Sequence, residues 1–520
     1  MPPIRQSGCR RTPMTERRAV KARRAFCALT ALAAAWVFAT PPQATMDPYS
    51  PIPQSEGVIT VAIEDFAHLP DSDQGLGELI PARMMLLRDE PGTGQLFVND
   101  LNGLLYSVSY GGEVTPYLEL NADRWGLQLE LAGRPKGFQS FAFHPQFDRA
   151  GEPGHGRFYT LIDTNATAPK PDYLADPALR AHDTVLLEWI AKDPAARVYD
   201  GGEPRELLRV QQPQFAHNGG MLSFQPQATP QDADFGLLYM GIGDGGRGSD
   251  PQRLARNLGT IFGKILRIDP LGTNSANGRY GVPDSNPFAS DGSDATLGEI
   301  YASGLRNPQR MAWDPKTGAF FVLDIGQNVI EEITIVTPGA DLGWSDWEGS
   351  FRHNRRRVKS DVLLANPRSD PAVSFPFVEF DQLEPLLERN PHKKNLPVGN
   401  PPSAAITGII VYRDGPLAKL ADKVLFGDSP SGEVFYVPAD DPPKDGWKPK
   451  HIRRVLFEHG ARTMTLLEII QETNVAQRRN HPNPRADFRF GTGPNGQVFL
   501  LNKADGVIRR LVPKANESEG

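Results

Sequence analysis

Cysteine is nearly absent: the 520 residues hold two, Cys9 and Cys27. Both fall within the first 45 residues, so a chain without that segment has no disulfide, no thiolate nucleophile and no Cys-ligated zinc. Long apolar runs are also missing. The one sizeable stretch, 26–39, falls short of the roughly 20 residues that a membrane-spanning helix needs. Positive charge is outweighed by negative beyond the N-terminus. The formal charge is −6, but the first 45 residues carry eight Arg or Lys against one Glu, which leaves −13 on the remainder. An acidic body is a poor partner for phosphate backbones, and no nucleic-acid partner is expected.

What is abundant is turn chemistry. With 50 Gly and 48 Pro, nearly one residue in five favours a turn, which excludes a helical bundle and predicts many short strands. A unit recurs along the chain: an aromatic or β-branched strand, a polar turn, then a second apolar strand. It appears at 94–98 with 104–108, 157–161 with 184–188, 237–241 with 264–268, 320–323 with 332–335, 424–426 with 433–437, and 497–501 with 506–509. Strand pairs of this kind cannot bury both faces alone, and radial stacking covers them while protecting sheet edges. The expectation is an all-β fold, a six-bladed β-propeller with long decorating loops, spanning 75–512. Residues 46–74 read as an N-terminal extension and 513–520 as a tail.

The first 45 residues read as an export leader, a basic stretch ending at Arg23-Arg24 followed by the apolar run. The expected location is periplasmic or secreted, with no transmembrane anchor in the mature chain. A helix-like stretch is expected at 383–388, and the Arg355-Arg356-Arg357 run reads as solvated rather than ligand-binding.

The densest polar chemistry lies between His217 and Asp269. His217 stands before Gly219 and Gly220, which let backbone approach closely, and reads either as a general base or as a His bonded within a turn. Asp244, flanked by glycines, fits an Asx turn, a metal ligand or an orienter of His217. Arg306 offers a planar fork for a carboxylate, and the oxygen-rich loop 324–332 suits a hard cation such as calcium. Trp344 and Trp347 read as packing rather than sugar-stacking residues. Arg256, Asn257 and Lys264 are expected to cap strands.

Three strings carry a resemblance: Gly-Phe-Gln-Ser-Phe-Ala-Phe-His-Pro-Gln-Phe at 137–147, the 259–270 stretch, and Gly-Leu-Arg-Asn-Pro at 304–308. In this order they resemble the soluble glucose/sorbosone dehydrogenases, the PQQ-dependent aldose sugar dehydrogenases, and the related propeller of hedgehog-interacting proteins. The resemblance implies His217 as general base, Asp244 as its partner, and Arg306 and Asn307 as residues that hold PQQ. It implies backbone carbonyls of Gly326 and Gln327 as calcium ligands. A second pair of cofactor-binding cations is represented by Arg485 and Arg489, at a spacing that departs from the family's. The family's Tyr-Asp-His string is replaced by Phe380-Asp381-Gln382, and Arg134-Pro135-Lys136 stands where a polar residue is expected. The resulting expectation is an exported quinoprotein oxidising an aldose or related alcohol with PQQ and calcium, its electron acceptor unspecified. The competing readings are a non-catalytic propeller that binds a protein or glycan, and a metal-dependent hydrolase whose carboxylates converge on calcium.

Overall fold

The computed structural model describes residues 48–514 apart from 51, 74–76, 91, 132–135, 167, 175–180, 356–361, 383–404 and 480–484. The expected export leader, the Arg134-Pro135 and Arg356-Arg357 pairs and the helix-like 383–388 lie outside the described residues.

The chain is nearly all β. Each strand pair read from the sequence forms an antiparallel hairpin: Gln95–Asp100 with Leu104–Ser109, Arg157–Thr164 with His182–Ile190, Leu238–Ile242 with Lys264–Ile268. The same holds for Phe320–Asp324 with Ile330–Ile335, Lys423–Asp428 with Val434–Pro438, and Val498–Leu501 with Val507–Val512. A preceding strand pairs with each hairpin: Met84–Glu90, Phe138–Phe143, Leu222–Phe224, Pro308–Trp313, Ile406–Tyr412 and Arg489–Thr492. A further strand flanks the other side, for example Ile300–Ser303 beside Lys264–Ile268.

These strands are apolar runs more than alternating ones. Leu238–Ile242, Lys264–Ile268 and Phe320–Asp324 are buried at every position, the pattern of strands covered on both faces. Aromatic side chains fill the space between neighbouring groups. Tyr239 packs within 5.3 Å of the Trp313 and Phe320 rings, and Trp313 stacks on Phe320 at 4.4 Å.

Residues 46–74, expected as an extension, supply a strand. Ile59–His68 runs antiparallel to Val507–Val512 and parallel to Arg453–His459. Gly491 and Thr492 pair in parallel with Leu87 and Arg88, which joins the last group to the first. Among the described residues the one α-helix is Leu466–Ala476, opened by a capping box of Thr465 and Glu468. No described helix is long and apolar enough to cross a membrane.

A structural repeat sets up the site. At or just past the end of the second strand of each group stands a buried Asp or Asn: Asp100, Asp163, Asp244, Asp324, Asp428 and Asn502. Asp100 accepts Arg83 N and Asn102 N, Asp324 accepts Arg306 N and Asn307 N, and Asp428 accepts Ala405 N and Ser431 N. Asn502 Oδ1 accepts Ala504 N and Asp505 N. These four fasten loop backbone that would otherwise be buried without a partner, whereas Asp163 accepts the side chains of Gln139 and Thr184.

Candidate active site

The 213–220 loop leads into the strand Leu222–Phe224, and the 243–246 turn follows Leu238–Ile242. They pack backbone against backbone. A Cβ at Gly243 would stand 2.2 Å from His217 O, and one at Gly246 would stand 2.3 Å from Ala216 O. Only glycine permits that approach. The Asn218 amide ties the loop by donating to Gln214 O and Ala216 O. Held in this way, His217 takes a φ of 55°, uncommon for a side chain with a Cβ.

In this group the repeated Asp has a different acceptor role. Asp244 Oδ1 lies 2.7 Å from His217 Nδ1 and also accepts Gly246 N at 2.9 Å. Its Oδ2 accepts the Trp344 indole N–H at 2.8 Å. A carboxylate can only accept here, so Nδ1 carries the proton and Nε2 keeps its lone pair. Burial pushes the His217 imidazole down and nearby Arg306 adds to this; Asp244 opposes both without cancelling them. Burial pushes the Asp244 carboxyl up, but His217, their hydrogen bond, Arg306 and the Gly246 N–H together hold it below the usual carboxylate range. The pair is therefore a neutral imidazole on an ionised carboxylate, the form a general base requires.

Arg306 joins this pair to the next group. Its carbonyl accepts Asp244 N at 2.8 Å, and its guanidinium donates through Nη1 to Ile325 O at 2.7 Å and through Nε to Gln327 Oε1 at 3.1 Å. It stands 5.9 Å from the Trp344 ring centroid. The 326–330 loop is set by one buried side chain. Glu348 Oε1 accepts the backbone N–H groups of Gln327, Asn328, Val329 and Ile330 at 2.8–3.1 Å. In a planar trans peptide the C=O opposes the N–H of the following residue, so the Gly326 and Gln327 carbonyls point away from Glu348. Gly326 has no room for a Cβ, which would lie 1.6 Å from Ile330 O.

The structure thus brings His217, Asp244, Arg306, Asn307 and the Gly326–Gln327 loop together. Among the described residues no hydrogen bond engages His217 Nε2, Arg306 Nη2, Asn307 Nδ2 or the carbonyls of Gly326 and Gln327. No group of three or more His, Cys, Asp or Glu is arranged to hold a metal among the described residues, so an ion here would rest on carbonyls.

The other expected residues make contacts of their own. Arg489 is buried, with Nη1 on Phe488 O, while Arg485 pairs with Asp487 at 3.2 Å. Lys503, which the sequence did not bring forward, faces the same Asp487: burial pushes its ammonium well down, Arg489 adds to this and Asp487 opposes it. Lys264 caps, as expected, donating to Leu254 O, Ala255 O and Phe262 O; Arg256 pairs with Asp341 and Asp346. Gln382 binds buried Glu331. Arg355, expected to be solvated, instead donates to Asp250 O at 2.8 Å. Trp347 packs at right angles on Phe375, but Trp344 does more than pack, because its N–H holds the orienting carboxylate. Its signal in the sequence was weak, since nothing local links position 344 to 244.

Comparison with known proteins places the chain among sequence relatives and structures of like fold. HIPL1 protein of Arabidopsis thaliana is 30% identical over 321 residues, covering 56% of this chain and 42% of HIPL1. Human Hedgehog-interacting protein is 28% identical over 233 residues, 44% of this chain and 29% of that protein. The matched stretch therefore spans less than half of either relative. The solved PQQ-bound aldose sugar dehydrogenase of Streptomyces coelicolor superposes with a TM-score of 0.51 at 17% identity, covering 87% of this chain and 98% of that one, a likeness of fold. Residues 181–375 match the Glucose / Sorbosone dehydrogenase family model, which bears out the resemblance; the motifs at 259–270 and 304–308 fall within the matched stretch, and that at 137–147 precedes it.

Proposed function

We propose that the strand groups close into a six-bladed propeller and that the protein is an exported, PQQ- and calcium-dependent oxidoreductase of aldose sugars or related alcohols. The observation that carries the reading is the His217–Asp244–Trp344 relay beside Arg306, with Nε2 left free. The free groups fit the cofactors. Arg306 Nη2 and Asn307 Nδ2 are donors suited to carboxylates of PQQ, and two outward carbonyls suit a hard cation. When bound, PQQ would supply the hydride acceptor and calcium a Lewis acid. The chain's own part is proton handling. His217 Nε2 takes the substrate hydroxyl proton as the C–H electron pair departs, Asp244 stabilises the imidazolium, and Trp344 holds the Asp244 carboxylate in place. Burial, with Arg306 adding to it, keeps the imidazole neutral until that step.

The test is an ultraviolet-visible titration of the protein with PQQ and calcium, followed by dye-linked oxidation of aldoses. Saturable binding with turnover, abolished in His217→Ala, is expected; absence of both binding and turnover at saturating cofactor sinks the proposal. The match to Hedgehog-interacting protein favours a second reading, a docking propeller without catalysis, which predicts that outcome.

A further inference from the structure

A cavity of about 780 Å³ lies apart from the candidate site. Each strand that precedes a hairpin contributes to its wall, and none of His217, Asp244, Arg306, Asn307, Gly326 or Gln327 lines it. Four arginines do: Arg413 is ion-paired with Asp314, Asp422 and Asp440 and Arg149 is exposed, which leaves Arg88 and Arg310. Arg310 is only 4% exposed. Its Nη1 and Nη2 donate to Gln309 O and Met85 O at 2.6 Å, and its Nε has no partner. The recorded bond of Arg88 is to the Met221 sulfur at 3.8 Å, a weak acceptor. Neither forms an ion pair among the described residues. Burial pushes the Arg310 guanidinium well down, and the charges that add to this are the cations Arg489 and Arg88.

Acidic residues do line the cavity. Asp89 accepts the Tyr110 hydroxyl, and Glu90 accepts Thr93 N; Asp148 and Asp414 are also present, and none of the four is paired with Arg88 or Arg310. Guanidinium does not give up its proton in proteins, so buried Arg310 and half-buried Arg88 stay charged, each within reach of the other's field and neither matched by a carboxylate among the described residues. The remaining wall is largely apolar, with Met221, Phe224, Trp313 and Ile409, and the volume is in the range of small-molecule sites, about 300–1,000 Å³.

We propose that this cavity is a second ligand site, which takes a small molecule bearing a carboxylate or phosphate group, its oxyanion held by Arg88 and Arg310 and its body along the Met221 and Trp313 wall. The proposal does not depend on the redox reading of the first site. The test uses the full chain at constant ionic strength, with inorganic phosphate, benzoate and the neutral benzyl alcohol as probes, read by calorimetry and thermal shift. Saturable binding of phosphate or benzoate with a Kd near or below about 1 mM is expected, with benzyl alcohol at least tenfold weaker. Phosphate alone would mark a bare oxyanion site, and benzoate binding a carboxylate-bearing organic ligand. Arg88→Gln, which loses no ion pair, should keep the unliganded melting temperature and bind at least tenfold more weakly. Absence of saturable binding by either anion, equal binding of benzyl alcohol and benzoate, or unchanged affinity in a folded Arg88→Gln would overturn the proposal. Because Arg306 at the first site also offers a donor to carboxylates, the titration is repeated in Arg306→Gln, which does not line this cavity; anion binding should persist there, and its loss would overturn the proposal.

Discussion

At the scale of single residues, His217 is governed by opposed influences whose balance has a sign. Burial and Arg306 depress its pKa and Asp244 partly restores it. The acid limb of turnover should therefore lie below the ordinary imidazole value near 6.5. Asp244→Asn removes the restoring charge, so its acid limb should move further down while kcat falls about 10²- to 10⁴-fold through loss of orientation. A pH–rate profile in which the variant's limb moved up would refute this electrostatic account. The same depression links to stability. The unfolded chain takes up the His217 proton more readily, so this residue's contribution is present above about pH 6.5 and is lost as pH falls through the lower folded value. Trp344→Phe keeps the ring but deletes the N–H on Asp244 Oδ2. A hydrogen bond to a charged group is worth about 1.5–3 kcal/mol, and the loss should appear in kcat more than in KM. An unchanged kcat would make Trp344 a packing residue only.

At the scale of elements, the 326–330 loop depends on one carboxylate. Glu348→Ala strips the acceptor from four N–H groups, two of them buried and two part-buried. The expected cost is about 1–3 kcal/mol in denaturant unfolding, together with weakened calcium binding, whereas Glu348→Gln keeps an acceptor oxygen and should lose less. Equal stability of all three forms would show that the loop needs no such anchor. Here the limits of the sequence are physical. The hairpins were legible because strands covered on both faces read as apolar runs between turn formers. The His217, Asp244 and Arg306 strings were legible through their glycines and the Asn-Pro ending. Glu348 and Trp344 were not, since they reach the site across the fold from positions whose local chemistry says only that they are buried. The repeated Asp or Asn closing each second strand was present in the sequence, and its period is what turns Asp244 from an isolated turn residue into one member of a set.

At the scale of the whole molecule, continuity of the sheets depends on a strand far from its partners in sequence. Ile59–His68 lies between Arg453–His459 and Val507–Val512, and the sequence offered no sign of this because the pairing partners lie about four hundred residues away or more. Its inward side chains Val61 and Ile63 are 4% and 6% exposed and join the core formed with Ile410, Leu425, Val455 and Leu511. Deleting 48–68 would expose the edge of Val507–Val512 as well as that core, so the truncated chain should unfold at a lower temperature and aggregate through the bare edge. Ile63→Ala isolates the packing contribution, expected at about 2–5 kcal/mol, without removing a backbone hydrogen bond. Thermal unfolding of the two forms separates the effects: the deletion should cost more than the substitution by the lost ladder. If truncation left the melting temperature unchanged, the strand would be an appendage, and the groups at 406–459 and 489–512 would have to be held together by their other contacts.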